Sequence, residues 1–75
     1  MEPLAKEIAM AVAKTLEIIS SSTESIEAAV REGIAKAAET VHGIQEAWVQ
    51  GTKAVVSDNS ITEWRVTLKI TFIVA

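Results

Sequence analysis

Between Glu63 and Val74 the chain alternates so regularly that it fits only a strand with one dry face and one wet face. Trp64, Val66, Leu68, Ile70, Phe72 and Val74 fall on one side, and Glu63, Arg65, Thr67, Lys69, Thr71 and Ile73 on the other. Such a strand needs an apolar cover on one face and hydrogen-bonding partners, since edges left unpaired invite association. The chain has only 75 residues with which to supply them, which limits it to a single domain near the lower size limit for a self-sufficient core. A hydrophobic fraction of 49% against 23% charged residues predicts packing rather than disorder. The mean hydropathy of +0.30 is high for so small a chain, so part of its apolar surface is expected to meet a partner.

A second alternating stretch, Ile44 to Val56, precedes the last one and is separated from it by Ser57-Asp58-Asn59-Ser60, the composition of a tight hairpin turn. With Asp58 and Asn59 as the two loop residues, direct opposition pairs Ala47 with Ile70, Val49 with Leu68 and Gly51 with Val66 on the inner face. On the outer face it pairs Trp48 with Lys69 and Gln50 with Thr67, and it sets Glu46 opposite Thr71 and Arg65 opposite Thr52.

Nearer the N-terminus, Ala11 to Ile19 reads as another strand, ended by Ser20-Ser21-Ser22-Thr23. A helix is expected next, capped by Ser21 in the spacing of a capping box with Glu24, or by Ser22 or Thr23. Ile26, Val30, Ile34, Ala37 and Val41 recur at helical steps and define its buried stripe. Glu27 with Arg31 and Glu32 with Lys36 are spaced for exposed ion pairs. His42-Gly43 is read as its C-terminal cap, which gives the lone histidine a local role.

The chain is thus read as α+β, in the order β-α-β-β, with a three-stranded antiparallel sheet wrapped around one helix. One helix covers only one sheet face, so the other face, which carries Trp48, and the sheet edges predict a homo-oligomer. Residues 1–9 are read as an N-terminal extension or tag-like segment, and 10–75 as the domain.

Several functions are excluded early. The chain has no cysteine, which removes disulfides and thiolate metal sites, and its lone His42 argues against His-rich zinc sites and the common catalytic arrangements within one chain, although symmetry could bring copies together. No nucleophile, base and orienting group stand together, and Gly33, Gly43 and Gly51 form no phosphate-cradling loop, so no enzyme is expected. A net charge of −3 argues against a nucleic-acid partner. No apolar run reaches the length of a bilayer span and no secretory leader is evident, so a soluble, cytoplasmic protein with no membrane partner is expected.

At this level of detail the chain resembles the dodecins, small flavoproteins. The likeness lies in Leu16-Glu17-Ile18-Ile19 with Ser20-Ser21-Ser22, in Ser25-Ile26-Glu27-Ala28-Ala29-Val30, in Ala35-Lys36-Ala37-Ala38-Glu39-Thr40-Val41, and in Thr62-Glu63-Trp64-Arg65-Val66-Thr67-Leu68-Lys69-Ile70-Thr71-Phe72. It runs from about Ala11 to Val74. The resemblance implies a hollow homododecamer that stores FMN, FAD or riboflavin at subunit interfaces without turning it over. It also implies that the stacking tryptophan of the family falls on Glu46 and the ring-edge glutamine on Arg65. A carboxylate offers no aromatic face, and a lost stacking partner costs about 1–3 kcal/mol, so flavin binding is expected to be weak or lost.

Glu46, Trp48, Gln50 and Arg65 are therefore the candidate ligand-binding residues. Trp48 lies on the same face as Glu46. It is read either as a stacking residue in a shifted register or as a subunit anchor on the Lys69 stem. Glu46 and Arg65 are too far apart to meet within one chain and are candidates for an ion pair across a symmetry axis. The competing reading is a structural or ion-holding assembly, in which Glu17, Glu46 and Glu63, multiplied by symmetry, hold ions at the axes. Trp64 is assigned to the core.

Overall fold

The computed structural model describes residues 12–74; the extension expected at 1–9 lies outside them. Three antiparallel strands and one helix follow the expected order: β1 (Val12–Ser22), α1 (Ile26–Ala37), β2 (Ile44–Ser57) and β3 (Ser60–Val74). The alternating C-terminal strand takes the centre, in the spatial order β1-β3-β2. That placement pairs both its edges, one with β1 and the other with β2. β1 runs in uninterrupted register with it, from Val12 opposite Val74 to Ser22 opposite Trp64.

The core lies between α1 and the inner face of the sheet. Val66, Leu68 and Ile70 are 0–1% exposed and close around Ala29, with Leu16, Ile18, Val30, Ala37, Ile44 and Ala47 packed at the margin. The helix turns a different face to the sheet from the one its large apolar residues predict. Ala28, Ala29 and Gly33 are its buried positions, whereas Val30, Ile34, Ala37 and Val41 are half-buried and Ile26 is exposed. The cause is close approach. A Cβ on Gly33 would stand 2.9 Å from Ser20 Cβ and 3.0 Å from Leu68 Cδ1, so only small residues fit where helix and sheet meet.

The serines after Ile19 do not end the first strand. Pairing with β3 carries it on through Ser22, and Ser20 supplies the small side chain beneath Gly33. The cap is Ser25 rather than Ser21, Ser22 or Thr23: its Oγ accepts from Ala28 N at 2.9 Å, while Ser22 Oγ accepts from Glu24 N at 3.0 Å in a local turn. The helix also stops short of His42-Gly43. Ala38 is its C-cap, and Glu39, Thr40 and Val41 wind down through backbone bonds to Lys36 and Ala37. Gly43, at φ +79, instead opens β2, its carbonyl accepting from Ile73 N at 3.1 Å. His42 stands exposed before it.

Asp58 (φ 57) and Asn59 (φ 66) form the two-residue turn, both in the left-handed region that a primed hairpin turn requires. Register shifts interrupt β2 between Ile44 and Glu46 and between Val49 and Gly51, and a third lies between Val55 and Val56. The pairs Ala47–Ile70, Val49–Leu68, Trp48–Lys69 and Glu46–Thr71 are therefore as expected. The shift at Gln50 moves Gly51 opposite Thr67, Thr52 opposite Val66 and Lys53 opposite Arg65, so the expected partners of Gly51, Gln50 and Arg65 are replaced.

Beyond Trp64 the β2–β3 hairpin outruns β1 and projects as a two-stranded ribbon. The radius of gyration is accordingly 15.1 Å, against about 11 Å for a compact chain of this length.

Gly33→Ala tests the close approach. Overpacking costs about 1–3 kcal/mol, more than the roughly 1 kcal/mol that alanine gains as a helix former. The variant is expected to unfold at lower denaturant, and a midpoint at or above that of the parent would show that the helix sits farther from the sheet.

Candidate functional site

The outer face of the sheet is the candidate site, and its layout follows from the register. Paired residues share a face, so Glu17, Lys69 and Trp48 form one row across β1, β3 and β2, and Thr15, Thr71 and Glu46 form the next. Among the described residues nothing covers these rows. Trp48 is 66% exposed, and Ile19, on the same face of β1, is 70% exposed. An indole left this open on a sheet whose other face is dry is an unfinished contact.

Of the four sequence-derived candidates, the structure brings two together. Glu46 and Trp48 are adjacent on the outer face, two residues and so about 6.6 Å apart along β2. Gln50 occupies a register shift and is exposed, without the Thr67 pairing expected of it. Arg65 is on the same face but lies six residues along β3 from the partner of Glu46, roughly 20 Å away.

Arg65 has a partner of its own that the sequence reading did not assign. Its Nε donates to Glu63 Oε2 at 2.7 Å, and it stands directly opposite Lys53. Like charges facing each other across a ladder destabilise it, and the Glu63 carboxylate offsets this. On the helix surface the Glu27–Arg31 pair forms at 3.8 Å, but Lys36 pairs with Glu39 at 3.4 Å rather than with Glu32. Trp64 does face inward, yet it is only half-buried and stays outside the closed core, because it sits where the ribbon leaves the helix behind.

A second concave surface was not anticipated. Between α1 and the edge strand β1 runs a groove of about 540 Å³, floored by Leu16, Ile18, Gly33 and Ala37 and rimmed by Glu32 and Lys36. Its signal in the sequence was Gly33: a glycine inside a helical repeat marks a place where a backbone comes close. Among the described residues no three acidic or histidine side chains group as metal ligands, and no helix is long and apolar enough to cross a membrane.

A family profile for dodecins matches residues 12–75. Among solved structures the chain is similar to the dodecin of Streptomyces davaonensis, with 28% identity over 87% of this chain and 96% of that one and a TM-score of 0.83. A point variant of the T. thermophilus dodecin aligns at 25% identity over 87% and 97%, with a TM-score of 0.82. A calcium-chelating antigen of Mycobacterium tuberculosis, described as a calcium dodecin with a novel calcium-binding site, aligns at 28% identity over 85% and 91%, with a TM-score of 0.76. No curated protein sequence matches the chain.

The Arg65–Glu63 pair yields a direct test. Glu63→Gln leaves Arg65 and Lys53 facing each other unrelieved, so the hairpin is expected to lose about 0.5 kcal/mol at low ionic strength and less at 1 M salt, which screens the repulsion. An equal loss at both salt concentrations would mean that the charge of Glu63 is not what matters.

Proposed function

The chain belongs to the dodecin family, and on that premise we propose that it is a stoichiometric small-ligand binder: copies close into a hollow homododecamer in the cytoplasm and hold a guest in the seams between their outer sheet faces, performing no reaction on it. One observation carries this reading. The centre of the sheet's inner face is dry, with Val66, Leu68 and Ile70 at 0–1% exposure, while the outer face presents Trp48 at 66%. A second copy brought against that face completes it and creates a cleft lined by Glu46 and Trp48 from both sides.

Two further features support closure on other copies. The ribbon tip exposes Val56 and Ile61, at 59% and 52%, and a two-stranded ribbon is marginal in water unless something packs on it. The groove along α1 and β1 has the size and apolar floor to receive such side chains.

Flavin is the default guest of the family, and its stacking and ring-edge positions carry Glu46 and Arg65 here. Glu46 gives a ring no face to stack on, and Arg65 is held by Glu63. We therefore assign weak flavin binding or none, with Trp48 as the aromatic surface that remains. Restoring the family pattern tests this: Glu46→Trp with Arg65→Gln is expected to quench added riboflavin fluorescence with at least tenfold higher affinity than the parent. No gain in an intact assembly would mean that the seam is not built around these positions.

An ion-holding reading is favoured by the likeness to the calcium dodecin and by Glu17, Glu46 and Glu63 sharing the outer face. Because Ca²⁺ takes six to eight oxygen ligands, such a site needs carboxylates from several copies. Calorimetric titration with Ca²⁺ separates the two readings: heat that Glu46→Gln or Glu17→Gln abolishes supports the ion site, and its absence leaves the organic guest.

A further inference from the structure

We infer, building on the ligand-binding reading above, that the guest seated on Trp48 is a planar aromatic cation rather than a neutral or anionic ring. The inference comes from the charges that the register sets around the indole. Lys69 stands directly opposite Trp48, Glu17 stands opposite Lys69 on its other side, and Glu46 precedes Trp48 by two residues on the same face, diagonal to Lys69. Two carboxylates thus flank one ammonium. Among the described residues none of the three forms an ion pair, so together they carry one net negative charge that no ion pair among those residues offsets.

An indole face is itself electron-rich, and it attracts a cation placed over it. The ring and the net carboxylate therefore select the same kind of ligand: Trp48 supplies the stacking surface and Glu46 the counter-charge. The same carboxylate repels the phosphate of a nucleotide-bearing flavin. The basic residues of the outer face do not cancel this, because Arg65 lies four residues along β3 and Lys53 five along β2, roughly 13 Å or farther and so more distant than either carboxylate, and Arg65 is already held by Glu63. A two-fold seam doubles both elements, setting two indoles and two carboxylates around one cleft. A small hard cation fits this arrangement poorly, since it requires many oxygen ligands and an indole provides none.

Three tricyclic probes of similar shape test the charge preference on the intact assembly by quenching of fluorescence: proflavine, a planar cation; lumichrome, neutral; and FMN, anionic. Proflavine is expected to bind at least tenfold more tightly than FMN and severalfold more tightly than lumichrome, with the margin shrinking as salt rises. In Glu46→Gln the ratio of proflavine to lumichrome affinity is expected to fall about tenfold, with assembly mass and circular dichroism unchanged, and Trp48→Ala is expected to weaken both probes. Lumichrome binding as tightly as proflavine, or a ratio unmoved by Glu46→Gln, overturns the charge preference and leaves the seam site standing. Failure of all three probes to bind an intact particle overturns the seam site and the inference together.

Discussion

The structure depends on an imbalance between the two faces of one sheet. A twelve-residue helix cannot cover a three-stranded sheet whose outer strands run to eleven and fourteen residues. It settles chiefly over β1 and β3, close enough that Gly33 and Ser20 are in contact and Leu68 and Ile70 are sealed. That tight contact leaves β2 at the margin of the core, with Val49 still 41% exposed on the inner side. It leaves the outer face bare as well. Burial at about 25 cal/mol per Å² is the main favourable term in folding, so apolar surface left open on this scale by a chain of this size is the surface that the proposed assembly would cover.

Much of this was legible in the chain itself. The alternation from Trp64 to Val74 marked a strand and its inward face, though not its central place in the sheet, and Asp58-Asn59 marked the turn, both of whose residues stand at positive φ. What the periodicity could not supply was distance. It assigned the buried stripe of the helix to its largest residues, Ile26, Val30 and Ile34, whereas the close helix–sheet contact selects Ala29 and Gly33. The serines from Ser20 to Ser22 read locally as a turn and a cap, because their hydroxyls favour both; pairing with β3, a non-local effect, keeps them in the strand and moves the cap to Ser25. The helix end was misplaced for a similar reason, since Ala37 and Val41 continue the apolar repeat through residues that in fact wind down in a turn.

The site was partly legible. Placing Glu46 and Trp48 on one face needed only a period of two and an uninterrupted register over Glu46 to Val49, which the structure has. Gln50 and the partner of Arg65 were lost at the next register shift, since a single inserted residue changes every pairing beyond it. The Arg65–Glu63 bond belongs to residues two apart on one strand, a spacing that carries no strong sequence signal, and the groove beside β1 exists only because the helix approaches so closely. Family membership sets the expectation of a flavin, and the proposal of a different guest rests on Glu46, whose carboxylate offers no aromatic face, and on the open indole of Trp48 one strand repeat away.

The central claim is that the sheet's outer face is completed by other copies of the chain, and solution mass tests it most directly. Sedimentation equilibrium in dilute buffer is expected to show a single species of twelve 8.0 kDa chains that persists on dilution. A monodisperse species of one 8.0 kDa chain would contradict the account, because Trp48 and the ribbon would then be stable in water alone.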